Sequence, residues 1–130
     1  MATELTGIAL VLDTATAVAL TALGDDGTAE TFEYVPGVPC DRVVLVFDNL
    51  EQTEDLAVSI SAGDYWQYTV GANAFTVSNA TKKFLILTGA RHKDKDDNKI
   101  TIVMTPNAGA AVAAELGAVE LPPATLLSEV

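Results

Sequence analysis

The sequence predicts an all-β protein, a single antiparallel β-sandwich of the immunoglobulin-like or jelly-roll-like kind, with about seven to nine short strands and a short C-terminal tail. Four runs between residues 56 and 104 alternate apolar and polar side chains, as a half-buried strand does. Segments carrying Gly, Asn, Asp and charge separate these runs, which is typical of antiparallel sheets rather than of βαβ units. The apolar residues are mainly Ala, Val and Leu, a mixture that suits thin strands packed face to face.

The chain of 130 residues is long enough to form one domain with a buried core. We assign the sandwich to residues 1–122 and a tail or arm to residues 123–130, because two adjacent prolines end the last predicted strand. The tail carries Leu126 and Leu127 without a framework of its own. It is expected either to fray or to lie on a neighbouring molecule, so both leucines are candidate partner contacts.

The first half of the chain predicts strands at about 5–12, 15–22 and 29–35. A helix over 15–23 is conceivable from the Ala and Leu content, but the Thr and Val residues there are β-branched and favour a strand. Residues 42–47 read RVVLVF and are apolar on both faces. That pattern predicts a central strand that is covered on both sides.

The second half of the chain predicts four strands, at 56–60, 73–78, 83–88 and 99–105. The segment 110–121 is ambiguous between a helix and a final strand. Its glycine and its closing VEL sequence favour an edge strand over at least 118–121.

Charge is distributed unevenly along the chain, whose formal net charge is -11. Residues 1–81 contain twelve acidic residues and one basic residue, whereas residues 82–99 contain six basic and three acidic residues. A positive strip on an acidic body is therefore expected around the last hairpin, either as a docking strip for an acidic partner or as ordinary solubilising decoration. The candidate docking residues are Lys82, Lys83, Arg91, Lys93 and Lys95. The acidic balance argues against a nucleic-acid partner, because phosphate contacts need a concentrated positive face.

Three aromatic residues, Tyr65, Trp66 and Tyr68, lie within four positions of one another. They cannot all point inward from one strand, so at least one ring is expected either at the surface as an interface anchor or over an open end of the core. A carbohydrate or base-stacking platform is a weaker alternative, because no set of polar residues is placed beside the rings to select a ligand. We name all three as candidate partner contacts.

Catalytic chemistry is not predicted, and neither a cofactor nor a metal is expected. The chain has one cysteine and one histidine, so neither a nucleophile–base pair nor a zinc site is visible. Cys40 is expected to be a small, partly buried residue, and His92 an isolated exposed side chain.

Neither an EF-hand calcium site nor a membrane segment is predicted. Asp94, Asp96 and Asn98 occupy the first, third and fifth positions of a calcium loop, but later positions do not follow the EF-hand pattern. A solvated turn is therefore expected, with a loose surface cation site as the weaker alternative. The apolar run at 8–23 is too short and too polar to span a bilayer, and the N-terminus has no basic region of a secretory signal, so no membrane partner is expected.

Four segments follow one another between residues 43 and 122: VVLVFDN (43–49), VSISAGDY (58–65), FTVSNATKKFLILTGARHKDKDDNKITIVM (75–104) and AAVAAELGAVELP (110–122). Their order resembles small bacteriophage virion proteins of β-sandwich fold, several of which decorate or cement capsids. In that pattern a strand ends in an Asn-containing turn, a Val/Thr/Ile strand and a small-residue strand follow, and a corner with glycine and arginine, here Gly89 to Arg91, leads into an Asp-containing hairpin. The resemblance covers about residues 29–122, and the chain departs from the pattern in its aromatic segment at 64–68 and in its leucine-containing tail.

The resemblance implies a non-enzymatic capsid decoration protein on the outer surface of the assembled head, present in the host cytoplasm during assembly. Its implied partners are the major capsid protein and neighbouring copies of itself, with self-association in solution left open. The family has no catalytic residues to carry over. Two alternatives are a structural or adhesion module of a phage tail or baseplate, and an accessory bacterial sandwich domain.

Overall fold

A computed structural model describes residues 2–24, 27–50, 54–64, 71–87, 92–106 and 113–122 of the protein. These residues form ten strands in two sheets that enclose one apolar core, which confirms the predicted β-sandwich. The strands are β1 (Thr3–Leu5), β2 (Ile8–Ala9), β3 (Thr21–Ala22), β4 (Glu30–Tyr34), β5 (Val43–Asn49), β6 (Leu56–Ile60), β7 (Asn73–Val77), β8 (Lys82–Ile86), β9 (Ile100–Pro106) and β10 (Ala114–Glu120). A single 3-10 turn at Cys40–Arg42 precedes β5.

The first sheet has the strand order β1-β4-β9-β6-β7. The second has the order β2-β10-β5-β8, and β3 pairs with the same side of β10 farther along that strand. Strands β7 and β8 are therefore the edge strands on one side of the sandwich. No helix in the described part of the chain is long and apolar enough to cross a membrane.

The N-terminal segment differs from the two long strands predicted at 5–12 and 15–22. Strand β1 runs parallel to β4 in the first sheet, whereas β2 runs parallel to β10 in the second, so the chain changes sheets between them. The change occurs at Gly7, where an added Cβ would come within 2.2 Å of a carboxylate oxygen of Glu120. A turn then follows β2, with the Thr14 N–H donating to the Val11 carbonyl and Asp13 at a φ of 56°. Switching between sheets thus breaks the predicted strands into short ones.

The prediction that residues 118–121 form an edge strand is wrong. Strand β10 pairs with β5 along one side and with β2 and β3 along the other, so it lies inside its sheet. Its small residues suit that position: Ala114 and Ala118 are buried in the core, and Gly117 faces outward under the side chain of Leu20. Strand β5 lies between β10 and β8, which agrees with the central position predicted for RVVLVF.

The core is formed by alternate residues of both sheets. The first sheet contributes mainly large side chains, and the second contributes both large and small ones. Rings from the two sheets meet edge to face, with the centroids of Phe47 and Phe75 5.3 Å apart. The largest fully buried side chains include Tyr34, Phe32, Phe47, Leu45, Leu56, Ile60, Ile100, Ile102, Met104 and Leu116.

Polar groups connect the sheets near both ends of the sandwich. At one end the buried Asn49 side chain on β5 donates a 3.1 Å hydrogen bond to the Val77 carbonyl on β7. At the other end the Tyr34 hydroxyl on β4 donates to the Glu120 carboxylate on β10. Because buried polar groups are costly unless they are paired, these two contacts favour one alignment of the sheets.

Candidate functional site

The most unusual surface feature is a pair of exposed apolar side chains on β8. Phe84 and Ile86 are two residues apart, so they lie on the same face of the strand, and they are 64% and 54% exposed. Opposite them in register on β5 are Val46 and the half-buried Val44. We call Phe84, Ile86 and Val44 the β8 strip.

Coverage of this outer face decreases from β10 towards β8. Gly117, Val46 and Phe84 lie in register across three adjacent strands and therefore share one face. Leu20 covers Gly117, since a Cβ added there would come within 2.6 Å of the Leu20 Cδ2 atom. Val46 in the middle strand is 6% exposed, whereas Phe84 at the edge is 64% exposed. Leu20, in the segment before β3, thus covers the β10 part of the outer face, and the exposure of the side chains is greatest at the β8 edge.

The two lysines at the start of β8 have different roles. Lys82 forms a 3.6 Å ion pair with Asp48 on β5, and its side chain is half exposed. Lys83 reaches across to the other sheet, where its Nζ donates a 2.7 Å hydrogen bond to the Thr76 carbonyl on β7. Lys83 therefore connects the two edge strands. Lys82 and its partner Asp48 lie at one end of the β8 strip.

The predicted basic residues are not brought together in one positive strip. Lys82 lies opposite Asp48 near the end of β5, whereas Lys93 bridges to Ile100 and lies close enough to Cys40, just before β5, to influence its thiol. These positions are at opposite ends of the sandwich. Lys95 is exposed on the same loop as Lys93. Arg91 lies outside the described residues.

Five other predicted contact residues also lie outside the described part of the chain: Tyr65, Trp66, Tyr68, Leu126 and Leu127.

Phe84 and Ile86 are surface residues that the sequence pattern did not predict. The sequence KKFLIL places apolar side chains on both faces of β8 from its third residue onward, as in a strand covered on both sides. In the structure β8 is an edge strand, and only its inner face, with Leu85, packs on the core. The signal was therefore present in the sequence, but the position of the strand in the sheet was needed to interpret it.

The single cysteine and the single histidine are both buried. Cys40 is buried in the core, and this burial raises the pKa of its thiol. His92 is buried as well, contrary to the exposed position expected from the sequence, and its Nδ1 lies 2.9 Å from the Ser61 carbonyl. The histidine thereby attaches the loop before β9 to the end of β6.

Three carboxylates meet where two loops approach each other. One oxygen from each of Asp64, Asp94 and Asp96 lies within 4.8 Å of the others, a type of donor that hard divalent cations favour. Backbone groups already use two of them: the Lys95 N–H donates to Asp64 at 2.6 Å, and the Asp96 N–H donates to Asp94 at 2.8 Å. These hydrogen bonds stabilise the loops, and they explain why the carboxylates lie where they do.

A second apolar surface lies at the end of β10. It is a groove of about 360 Å³ with almost entirely apolar walls, formed by Leu10, Val11, Leu12, Val38, Leu121 and Pro122. We call it the terminal groove. It is separate from the β8 strip, since β10 and β5 lie between β2 and β8.

The chain was compared with known proteins at three levels. No protein-family model, no curated protein sequence and no solved structure gives a significant match.

Proposed function

We propose that the protein is a non-catalytic structural component that attaches to the outer surface of a bacteriophage head and stabilises it. The observation that carries the proposal is the β8 strip, in which Phe84 and Ile86 are exposed side by side on an edge strand. The sequence resemblance to capsid decoration proteins is the reason for proposing a phage head as the assembly. The acidic composition adds support, because an acidic outer layer is repelled by packaged DNA and by other virions.

The β8 strip has properties of a contact surface for a larger protein. Exposed apolar side chains that lie together, beside polar residues, are typical of protein interaction sites. The Lys82–Asp48 ion pair borders the strip, and β8 pairs with no strand other than β5 in the described residues. A partner that covers Phe84 and Ile86 would remove apolar area from water, at a gain of about 25 cal/mol for each Å².

Weak binding by each copy is sufficient on a repeated lattice. Neighbouring sites on an assembled shell present the partner surface at high local density, so modest contacts add up to stable coverage. A small domain with a rigid sandwich core suits this role, because the exposed edge loses little conformational freedom on binding.

The test is to mix the full-length protein with undecorated heads of the phage that encodes it, to pellet the heads and to image them. We expect stoichiometric density on the outer lattice. Density only at the tail would replace this proposal with the tail alternative, and absence of binding to either would overturn both.

Variants identify the surface that binds. The Phe84→Ser/Ile86→Ser double variant is expected to fold, since both side chains are exposed, and to lose most of the head binding. Val35→Ser is the matched control, because Val35 is 51% exposed but lies after β4 in the other sheet. Equal binding by the double variant and the control would exclude the β8 strip.

A further inference from the structure

The terminal groove lies between two parallel segments and the turn that follows β4. Ile8 and Ala9 pair in parallel with Val119 and Glu120, and the Leu10 N–H continues the ladder by donating 2.8 Å to the Glu120 carbonyl. One wall is formed by residues 9–12, and the facing surfaces by Val38 and residues 121–122. Val11 on the first wall is 60% exposed, so the groove leaves a large apolar side chain in water.

The acidic residue at the groove does not make it a polar site. Both described hydrogen bonds of the Glu120 carboxylate use Oε2, which accepts from the Tyr34 hydroxyl and from the Gly37 N–H, and the walls of the groove are almost entirely apolar. The groove therefore presents an apolar surface, which suits an apolar peptide segment rather than a charged ligand.

The chain supplies such a segment directly after the groove. Residues 123–130 read PATLLSEV and contain two adjacent leucines, Leu126 and Leu127. In an extended segment adjacent side chains point to opposite sides, so two neighbouring leucines can contact two facing walls at once.

The direction of the backbone decides which copy of the tail can enter. Residues 119–122 run parallel to residues 8–10, so the chain leaves Pro122 heading out of the groove. A proline disfavours helical backbone at the residue before it, and its own φ is fixed, so the Pro122–Pro123 pair favours an extended exit. For its own leucines to return, the chain would have to reverse within three residues, 123–125.

We propose that the terminal groove binds the segment around Leu126 and Leu127 of a second copy of the chain. Each copy has one groove and one tail, so two copies can exchange tails reciprocally about a two-fold axis, or successive copies can link head to tail. The inference is independent of the proposed attachment to phage heads, because it concerns a different surface and can be tested with the purified protein alone.

Disulfide crosslinking between two different variants tests the exchange. One protein carries Val11→Cys and the other carries Leu127→Cys, both with Cys40→Ala so that no other thiol is present. Mixed under mild oxidation, they are expected to give severalfold more covalent dimer than a mixture of Leu50→Cys with Leu127→Cys. Leu50 is a matched control, because it is 47% exposed but lies beside Ala113 at the opposite end of β10. Equal yields in the two mixtures would overturn the proposal.

A single chain with both Val11→Cys and Leu127→Cys separates exchange from self-binding. Exchange predicts that crosslinked dimer increases with protein concentration, whereas a tail folded back on its own groove predicts an internal disulfide in a monomer at every concentration. The second result would overturn the proposal. Sedimentation adds a measurement without thiols: a chain ending at Pro122 is expected to lose the self-association of the full chain, and unchanged association would likewise contradict the exchange.

Discussion

The hydroxyl of Tyr34 donates a 2.5 Å hydrogen bond to the carboxylate of Glu120, and this contact joins the two sheets inside the sandwich. The ring of Tyr34 is fully buried, and the same carboxylate oxygen also accepts a 2.9 Å hydrogen bond from the Gly37 N–H. One acidic side chain at the end of β10 thus holds together the first sheet, the turn after β4 and the second sheet. Charged acceptors make stronger hydrogen bonds than neutral ones, so this contact is expected to contribute measurably to stability.

Replacing Tyr34 with phenylalanine tests the contribution of this hydrogen bond. Tyr34→Phe keeps the buried ring but leaves Glu120 with the Gly37 N–H, so we expect the free energy of unfolding to fall by about 1–3 kcal/mol. Urea denaturation at neutral pH measures the loss. Glu120→Gln keeps an acceptor and is expected to cost less. An unchanged denaturation midpoint in Tyr34→Phe would show that the contact is energetically neutral.

The same tyrosine predicts a loss of stability at alkaline pH. Burial, and in second place the hydrogen bond to Glu120, raises the pKa of Tyr34 above its ordinary value of 10.0. The folded state therefore favours the neutral phenol, and the resulting stabilisation is complete below pH 10.0 and is lost as the pH rises above it. Urea denaturation at about pH 8 and about pH 11 measures the loss. In Tyr34→Phe this contribution is absent, so an equally steep decline in that variant would assign the effect to other groups.

The adjacent lysines of β8 form a matched pair of variants. Lys83→Met removes the hydrogen bond to Thr76 that connects the two edge strands, and we expect a loss of about 1 kcal/mol and faster amide exchange in β7 and β8. Lys82→Met removes only a half-exposed ion pair with Asp48, which is expected to contribute about 0–1 kcal/mol. Greater destabilisation by Lys82→Met than by Lys83→Met would contradict these roles.

Gly117 tests how the outer face of the second sheet is covered. A Cβ at this position would come within 2.6 Å of the Leu20 Cδ2 atom, the movable end of a half-buried side chain, so Gly117→Ala is expected to displace Leu20 and to cost about 1 kcal/mol. Leu20→Ala should remove the clash, so that the double variant loses less than the sum of the two single losses. Gly71→Ala is the control, since an added Cβ there meets no atom within 4 Å. Additive losses in the double variant would show that Leu20 does not cover Gly117.

The central strands were predictable because their patterns are local. Residues 56–60 alternate strictly, and β6 occupies the span that this alternation predicts, with Leu56, Val58 and Ile60 buried. The run VVLVFDN became the central strand β5, as a segment that is apolar on both faces should. The N-terminal segment was less predictable, because its short strands belong to different sheets and a single glycine, Gly7, does not by itself indicate a change of sheet.

The candidate site followed only in part from the sequence. The charge pattern drew attention to Lys82 and Lys83, which border the exposed surface, but grouped them with Lys93 and Lys95 at the other end of the sandwich. Charges that are close along a chain are separated in space when a full strand lies between them, since each strand residue advances about 3.3 Å.

Alternation and composition were enough to locate the strands from β4 onward, the acidic balance of the chain and the two-layer fold class, because they act through local geometry and burial. Which strands are edges and which faces are covered became visible only in the folded chain. Phe84 is exposed on the edge strand β8, whereas Val46 beside it is buried on the inner strand β5, next to the part of the sheet where Leu20 covers Gly117. That outcome depends on strand order, and strand order is set by contacts between residues far apart in the chain.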